Sequence, residues 1–523
     1  MHPDLTLLAG RPIIIGAGLA GLMAALELAP RPVIVVTKAP LGEGCASAWS
    51  QGGLAAAIAA DDSQELHLAD TLAAGDGLCD EAAARRIIEA GPEIVDRLVG
   101  LGVQFGRNEA GAFKLKLEAA HCRRRVLNAG GDGTGAEIMR AVIEAVRRTP
   151  SITVLEGVAA LDLVMGDGVE GVVVASGSQT SVLPSRAVVL ATGGLGGLWL
   201  HTTNPAGALG QGLAMAARAG AELVDLEFVQ FHPTALDVGR DPMPLASEAI
   251  RGDGAVLIDE TGTRFMAGQG RAELEPRDVV SRAVWQRLGE GHRVFLDTRA
   301  AFGADLPKRF PGIVAACRAA GIDPVTAPMP IRPATHYHMG GIAVDARGRT
   351  SLAGLWACGE AASTGLHGAN RLASNSMLEA AVTGVAVARD LAGRSVARVG
   401  STLRPRPAPA PDAAGLLAVR SAMSAHVGVL RDRAGLAQAL AALMPIATGQ
   451  SAAAGPAMVG LMIAAAAWRR TESRGGHTRT DFPARDPALA QRRPLTLAEA
   501  LALAEAITGR SGQPRNRIAS AGD

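Results

Sequence analysis

At 523 residues, with 48% hydrophobic but only 3% aromatic side chains and 64 glycines, the chain is long enough for two or three domains packed through small aliphatic contacts. Its 51 basic and 50 acidic residues leave a formal charge of +1, too little to hold nucleic acid or an anionic membrane. Five cysteines without a CxxC pair, Cys45, Cys79, Cys122, Cys317 and Cys358, argue against an iron–sulfur cluster or zinc ribbon and for reduced thiols.

The N-terminal "MHPDLTLLAGRPIIIGAG" has no basic start or cleavage site of a secretory signal, so a cytoplasmic protein is expected. It leads into an apolar run, Pro12 to Ile15. "GAGLAGLMAALELA" follows with Leu19, Leu22, Met23 and Leu26 at helical spacing, and "PVIVVTK" supplies a second strand, completing β–α–β. "AVVLATGG", ending at Gly193 and Gly194, and "GLWACGE", ending at Glu360, repeat the strand-then-glycine pattern, so one sheet is expected from distant segments. Between them, residues 237–331 read as an inserted domain, with "GAVLIDETGTRF" and "DVVSRAVWQRLGE" as its own elements. After Gly400, "LRPRPAPAP" reads as a semi-rigid linker. Helical patterns follow at 412–445 and 455–472, and a last helix opens on a Thr496 to Glu499 capping box. The most apolar stretch, Met458 to Trp468, falls short of the roughly 20 residues that span a membrane and reads as a buried helix.

Gly16, Gly18 and Gly21 stand in G-x-G-x-x-G spacing between strand and helix. There they allow a tight turn, close approach of a pyrophosphate, and helix-on-strand packing. The helix N-terminus then faces the phosphates with free N–H groups. The second strand ends in Thr37 and Lys38 where an acid usually holds a ribose. Lys38 either solvates the strand end or binds the adenosine or phosphate portion. Glu360, directly after a strand, is placed to accept from sugar hydroxyls. Of nicotinamide and flavin, "SAWSQGG" favours flavin, because Gln51, Gly52 and Gly53 can meet a large flat ring with backbone donors.

"SQGGLAAA", "EFVQFHPTAL", "SEAIRGDGAVLIDETGTRFM", "ELEPRDVVSRAV", "THYHMGGIAVD" and "GLHGANRLASNSMLEA" occur in one order. With them the chain resembles the fumarate reductase, succinate dehydrogenase and L-aspartate oxidase flavoprotein superfamily over residues 10–390, and "ESRGGHTRTDFP" from Glu472 is similar too. The resemblance implies an α/β fold: a Rossmann-like FAD-binding domain (1–236 and 332–402), an inserted α+β capping domain (237–331), and a linker with a C-terminal helical bundle (403–523). It implies FAD contacts from Gly16, Ala17, Gly18, Leu19, Gly21, Lys38, Ala46, Ser47, Ser50, Gln51, Gly52, Gly53, Gln211, Glu360, Ser376 and Met377. Ala46 stands where respiratory relatives carry a flavin-linked histidine, so the FAD is expected to be non-covalent. Gln211 replaces the acid of the usual "GDG", leaving an uncharged acceptor.

The same resemblance implies that His232, His336 and Arg371 bind substrate carboxylates and that Ser247 and Glu248 contact substrate and the catalytic arginine, Arg277. Arg251 either orients the substrate or braces the capping domain. Glu118, before Ala119, Ala120 and His121, looks like the acid that faces a substrate ammonium in the L-aspartate oxidase branch. L-Aspartate is succinate plus one ammonium, and a desolvated cation requires an opposite charge. The expected reaction is oxidation of L-aspartate to iminosuccinate, with oxygen or fumarate as acceptor and coupling to quinolinate synthase in NAD biosynthesis. The alternative is a soluble fumarate reductase. A flavin-binding tRNA-modifying or scaffold protein would need a basic surface. His336 and His338, alternate residues on an expected strand, share a face without a third metal ligand, and His121 beside Cys122 lacks one as well, so no metal is expected.

Overall fold

The computed structural model describes residues 8–394, 405 and 407–509. A five-stranded parallel sheet runs in the order Leu355–Ala357, Val188–Leu190, Ile13–Ile15, Val33–Thr37, Ile152–Glu156. Its inner strands are short apolar runs buried on both faces, as a sheet covered by helices requires, while the edge strand Ile152–Glu156 is only half-buried. The helix Leu19–Leu28 crosses from the first strand to the second and packs along Asn375–Ala392. Chain order reverses on either side of Ile13–Ile15, which places the crevice for a dinucleotide beyond the carboxyl ends of these strands. Gly16 shows how closely the crevice is built. Its φ is +113°, and a Cβ there would lie 2.1 Å from the Ala191 carbonyl oxygen.

A second sheet, ordered Val229–Leu236, Met329–His338, Val294–Asp297, Val256–Asp259, joins two strands of the expected insert to two that lie at its ends. Its two long strands flank the expected boundaries at 237 and 331 and carry His232 and His336 to the seam with the first sheet. Strand pairing skips from Gln230↔Tyr337 to Phe231↔Thr335, so His336 is the extra residue of a bulge. The bulge undoes the simple alternation expected of His336 and His338. His336 meets Thr203 and the ring of His232, while His338 bonds the Leu226 carbonyl. No cluster of three metal-ligating side chains occurs among the described residues.

The C-terminal helices are Ala413–His426, Arg433–Ala447, Ala454–Arg469 and Leu497–Thr508. The pattern expected as one run over 412–445 is broken at Val427–Asp432, where Asp432 caps the second helix through the Gly435 N–H. The capping box of Thr496 and Glu499 is present. Ala454–Arg469 is buried, and no described helix is long and apolar enough to cross a membrane. Residues 395–404 and 406, which include the start of the expected linker, lie outside the described residues.

A buried charge network holds these helices to the rest. Glu472 Oε1 accepts from Arg470 Nη1 at 2.9 Å and Oε2 from Arg474 Nη2 at 2.9 Å. Arg470 also meets Glu227, and Arg431 donates to the Glu227 carbonyl at 2.7 Å. Removing one partner of a buried ion pair leaves the other desolvated and uncompensated. Glu472→Leu should therefore lower unfolding free energy by about 3–5 kcal/mol in urea denaturation of the full chain.

Candidate active site

A cavity of about 3280 Å³ opens along the carboxyl ends of the parallel strands and continues beneath the inserted region and along the C-terminal helices. Gly16–Leu19, Lys38, Ala46, Ser47, Ser50–Gly53, Gln211, Glu360, Ser376 and Met377 all line it, as do Glu118, His232, Ser247, Glu248, Arg277, His336 and Arg371. Gly21 lies behind the wall, where a Cβ would strike the Gly16 carbonyl at 2.1 Å. It serves helix-on-strand packing.

The wall has the features that a dinucleotide with a flat ring needs. Gly53 presses against Leu127, with its missing Cβ 2.1 Å from that carbonyl oxygen. Gln51 Oε1 and Thr192 Oγ1 are buried without a hydrogen-bond partner. Such buried polar atoms are costly unless a ligand or water satisfies them. Ser376 and Met377 begin the helix Asn375–Ala392, whose N-terminus brings partial positive charge to the cavity. Ser47 Oγ accepts from the Leu19 N–H at 3.2 Å, capping the first helix beside the phosphate crevice. Lys38 is exposed at the mouth, and Gln211 is the exposed first residue of Gln211–Arg218. Burial pushes Glu360 up to about 7, while the His338 N–H donates to its Oε1. These residues fit FAD.

At the inner end two guanidiniums converge. Arg277 Nη1 and Arg371 Nε donate to the same oxygen, Gln230 Oε1, at 2.9 and 3.2 Å. Arg371 also donates to Ser376 Oγ at 2.5 Å and lies over the Tyr337 ring, 4.5 Å from its centroid. Burial, followed by the nearby Arg277 charge, lowers Arg371 to about 10. Arg277 opens the helix Arg277–Gly289, where the dipole disfavours a cation. Glu248 Oε2 compensates at 2.9 Å. A local rule broken and repaired in this way marks a functional position.

Glu248 begins the short helix Glu248–Gly252, which Ser247 caps. Its other oxygen takes Arg251 Nη2 at 2.6 Å. Burial pushes Glu248 up, but the charges of Arg277 and Arg251 outweigh this and hold it below its ordinary value. Arg251 is buried behind Glu248, with its other contact on the Glu273 carbonyl, and does not line the cavity. Of the two expectations for Arg251, substrate orientation and bracing, these contacts favour bracing: the three-residue helical offset from Glu248 turns its guanidinium onto that carboxylate.

The Thr234 N–H donates to His232 Nδ1 at 3.3 Å, so Nε2 carries the proton, and it is buried without a partner. Burial, then the surrounding arginines, keep His232 and His336 well below the usual histidine value, hence neutral. Glu118 is 4% exposed; Ser374 Oγ donates to its Oε2 at 2.7 Å, and Oε1 lies 3.0 Å from where Gly52 would carry a Cβ. Burial, then the charge of Glu248, raise Glu118 above its ordinary value. Gln230, Tyr337 and Ser374 escape the motif reading as site residues. Gln230 could have been found from its place two residues before His232, on the same strand face.

A family model described as FAD binding domain matches residues 11–377, and one described as Fumarate reductase flavoprotein C-term matches residues 454–501. Among solved structures, an E. coli quinol fumarate reductase FrdA variant is similar at a TM-score of 0.83 and 28% identity, covering 92% of this chain and 93% of that one. Mycobacterium smegmatis Sdh1 in complex with UQ1 is similar at 0.77 and 30% identity, covering 91% and 89%. L-aspartate oxidase from Mesorhizobium japonicum is 54% identical, covering 96% of this chain and 97% of its own length. The Agrobacterium fabrum protein of that name is 52% identical, covering 95% and 96%. The chain thus belongs to the L-aspartate oxidases, FAD-dependent oxidoreductases of the fumarate reductase flavoprotein family.

Proposed function

We propose that this site oxidises L-aspartate to iminosuccinate in the cytoplasm with non-covalent FAD, that oxygen or fumarate takes the electrons, and that the product passes to quinolinate synthase for NAD biosynthesis. The observation that carries the substrate reading is a buried acid, Glu118, beside two buried arginines. Arg371 offers a planar fork to one carboxylate, and His232 Nε2–H and His336 meet the other. Glu118 pairs with the ammonium. FAD, when bound, accepts the Cα hydride and passes the electrons on.

The chain's own residues manage charge and protons. Once the ammonium has given a proton to the facing Glu118 carboxylate, the nitrogen lone pair expels the Cα hydride and an iminium forms, which becomes the imine on losing a second proton. Arg277 stabilises the carboxylate beside the reacting carbon. In the reverse sense, with fumarate, Arg277 supplies a proton to carbon and Glu248 resupplies it, with Arg251 behind. An arginine acts so only with strong help, since its pKa exceeds roughly 12 in water.

Glu118→Leu should reduce kcat/KM for L-aspartate roughly a hundredfold, the scale of about 3 kcal/mol for a charge-assisted contact, while fumarate reduction changes far less. Equal losses in steady-state assays of both reactions would remove the ammonium-pairing role. Gln230→Leu should cost both reactions more than roughly tenfold, because each guanidinium loses a shared acceptor in a buried site.

The raised Glu118 also gives a pH test. A dianion such as succinate repels ionised Glu118 and so favours its protonated form, whereas the ammonium of L-aspartate favours the carboxylate. Succinate binding should therefore weaken as pH rises through the raised Glu118 value and take up a proton. Titration calorimetry in two buffers of different ionisation enthalpy should show that uptake for succinate, and less of it for L-aspartate.

A further inference from the structure

Behind Glu118 lies a second polar cluster that the reaction does not use directly. Arg125 has no exposed side-chain surface, although it ends a run of three arginines. Its Nε and Nη2 donate to Asp62 at 2.9 Å each, and Nη1 to Asp70 at 2.5 Å, just before and within the helix Gln64–Ala74. Nη1 also reaches His121 Nδ1 at 3.2 Å. A guanidinium can only donate, so Nδ1 is the acceptor and the ring proton sits on Nε2. That Nε2–H points to the Ala373 carbonyl at 3.0 Å.

Ala373 and Ser374 belong to the segment that carries Arg371. Ser374 holds Glu118 from one side while adopting φ +64°, a left-handed conformation that only surrounding contacts sustain in a non-glycine residue. His121 closes the other side. Its own N–H bonds the Glu118 carbonyl at 3.2 Å across Ala120, which is left-handed as well, with φ +66°. The turn Glu118–His121 is thus tied twice to Ala373–Ser374 and once, through Arg125, to the helix Gln64–Ala74. Burial, with the Arg125 charge opposing protonation, keeps His121 near 4 and therefore neutral in ordinary buffers.

We propose that His121, its tautomer fixed by Arg125, is a positioning residue for substrate discrimination: it sets the spacing between Glu118, which meets an ammonium, and Arg371, which meets a carboxylate. This rests on the reading of Glu118 given above. A ligand with both groups, an α-amino diacid, is sensitive to that spacing. A plain diacid has no ammonium for Glu118 and is held through its carboxylates alone, by Arg371, His232 and His336.

The test uses the full FAD-loaded enzyme and three variants, His121→Ala, His121→Gln and Glu118→Gln. Anaerobic flavin reduction across L-aspartate concentrations gives an apparent Kd and a limiting rate, and fumarate reduction is measured beside it. His121→Ala should raise the apparent Kd for L-aspartate roughly tenfold, as expected for one lost buried hydrogen bond, and leave fumarate reduction within about threefold. His121→Gln, which keeps a donor toward Ala373, should recover most of the loss. Equal losses in both reactions, or no change in either, overturn the proposal, as does a glutamine variant as impaired as the alanine one. If Glu118→Gln binds L-aspartate normally, the reading of Glu118 itself fails; if Glu118→Gln is impaired and His121→Ala is not, only the positioning role fails. Should the alanine variant not fold, 15N-histidine NMR of the unmodified enzyme decides. His121, assigned by its loss in the glutamine variant, should show the neutral Nε2–H form from pH 5 to 8, and an Nδ1–H or charged ring contradicts the proposal.

Discussion

Two buried guanidiniums, those of Arg277 and Arg371, share a single amide oxygen of Gln230, and the rest of the site is arranged around the cost of keeping them together. Burial first, and then the like charge of Arg277, is why the Arg371 value falls despite its ordinary strength as a base. The surroundings compensate by different means. Glu248 neutralises Arg277 directly. The Tyr337 ring, oriented by its hydrogen bond to Glu379, lies under Arg371. Of the two glutamates nearest the guanidiniums, Glu248 is already engaged by Arg277 and Arg251, which leaves Glu118 to meet a ligand ammonium. A plain dianion has no ammonium to offer and favours Glu118 in its protonated form.

The two glutamates are pushed in opposite directions by their neighbours. Glu248 sits between two arginines whose charges outweigh its burial, and it stays ionised; Glu118 is raised first by burial and then by the Glu248 charge, against the Ser374 hydroxyl and the arginines. Environments that separate the pKa values of paired acids assign them different work. Glu248 is suited to holding and resupplying the Arg277 proton. Glu118 is suited to changing protonation with the ligand, so one pocket can accept both an amino diacid and fumarate.

Much of this was legible from residue order, because the nucleotide crevice is built by short-range geometry. G-x-G-x-x-G between a strand and a helix points to a phosphate-binding turn, and the capping box of the last helix follows from four residues. What escaped reading depends on contacts across the fold. The bulge at His336 is set by pairing with a strand about 100 residues earlier. Gln230 gained its role only when Arg277 and Arg371 arrived from separate elements. Tyr337 escaped because its partners, Glu379 and Arg371, lie in another segment. Arg251 stayed open between orienting a ligand and bracing, because its contacts with Glu248 and the Glu273 carbonyl are not visible in its motif. The break at Val427–Asp432 was hidden by alanine-rich composition, which suits helix on both sides of it.

The account turns on whether the acid beside the arginines selects an amine. The most direct measurement is anaerobic mixing of the oxidised enzyme with L-aspartate and, separately, with succinate, following the flavin absorbance. The account predicts bleaching by L-aspartate and a stable oxidised spectrum with succinate. Bleaching by succinate with none by L-aspartate would contradict it.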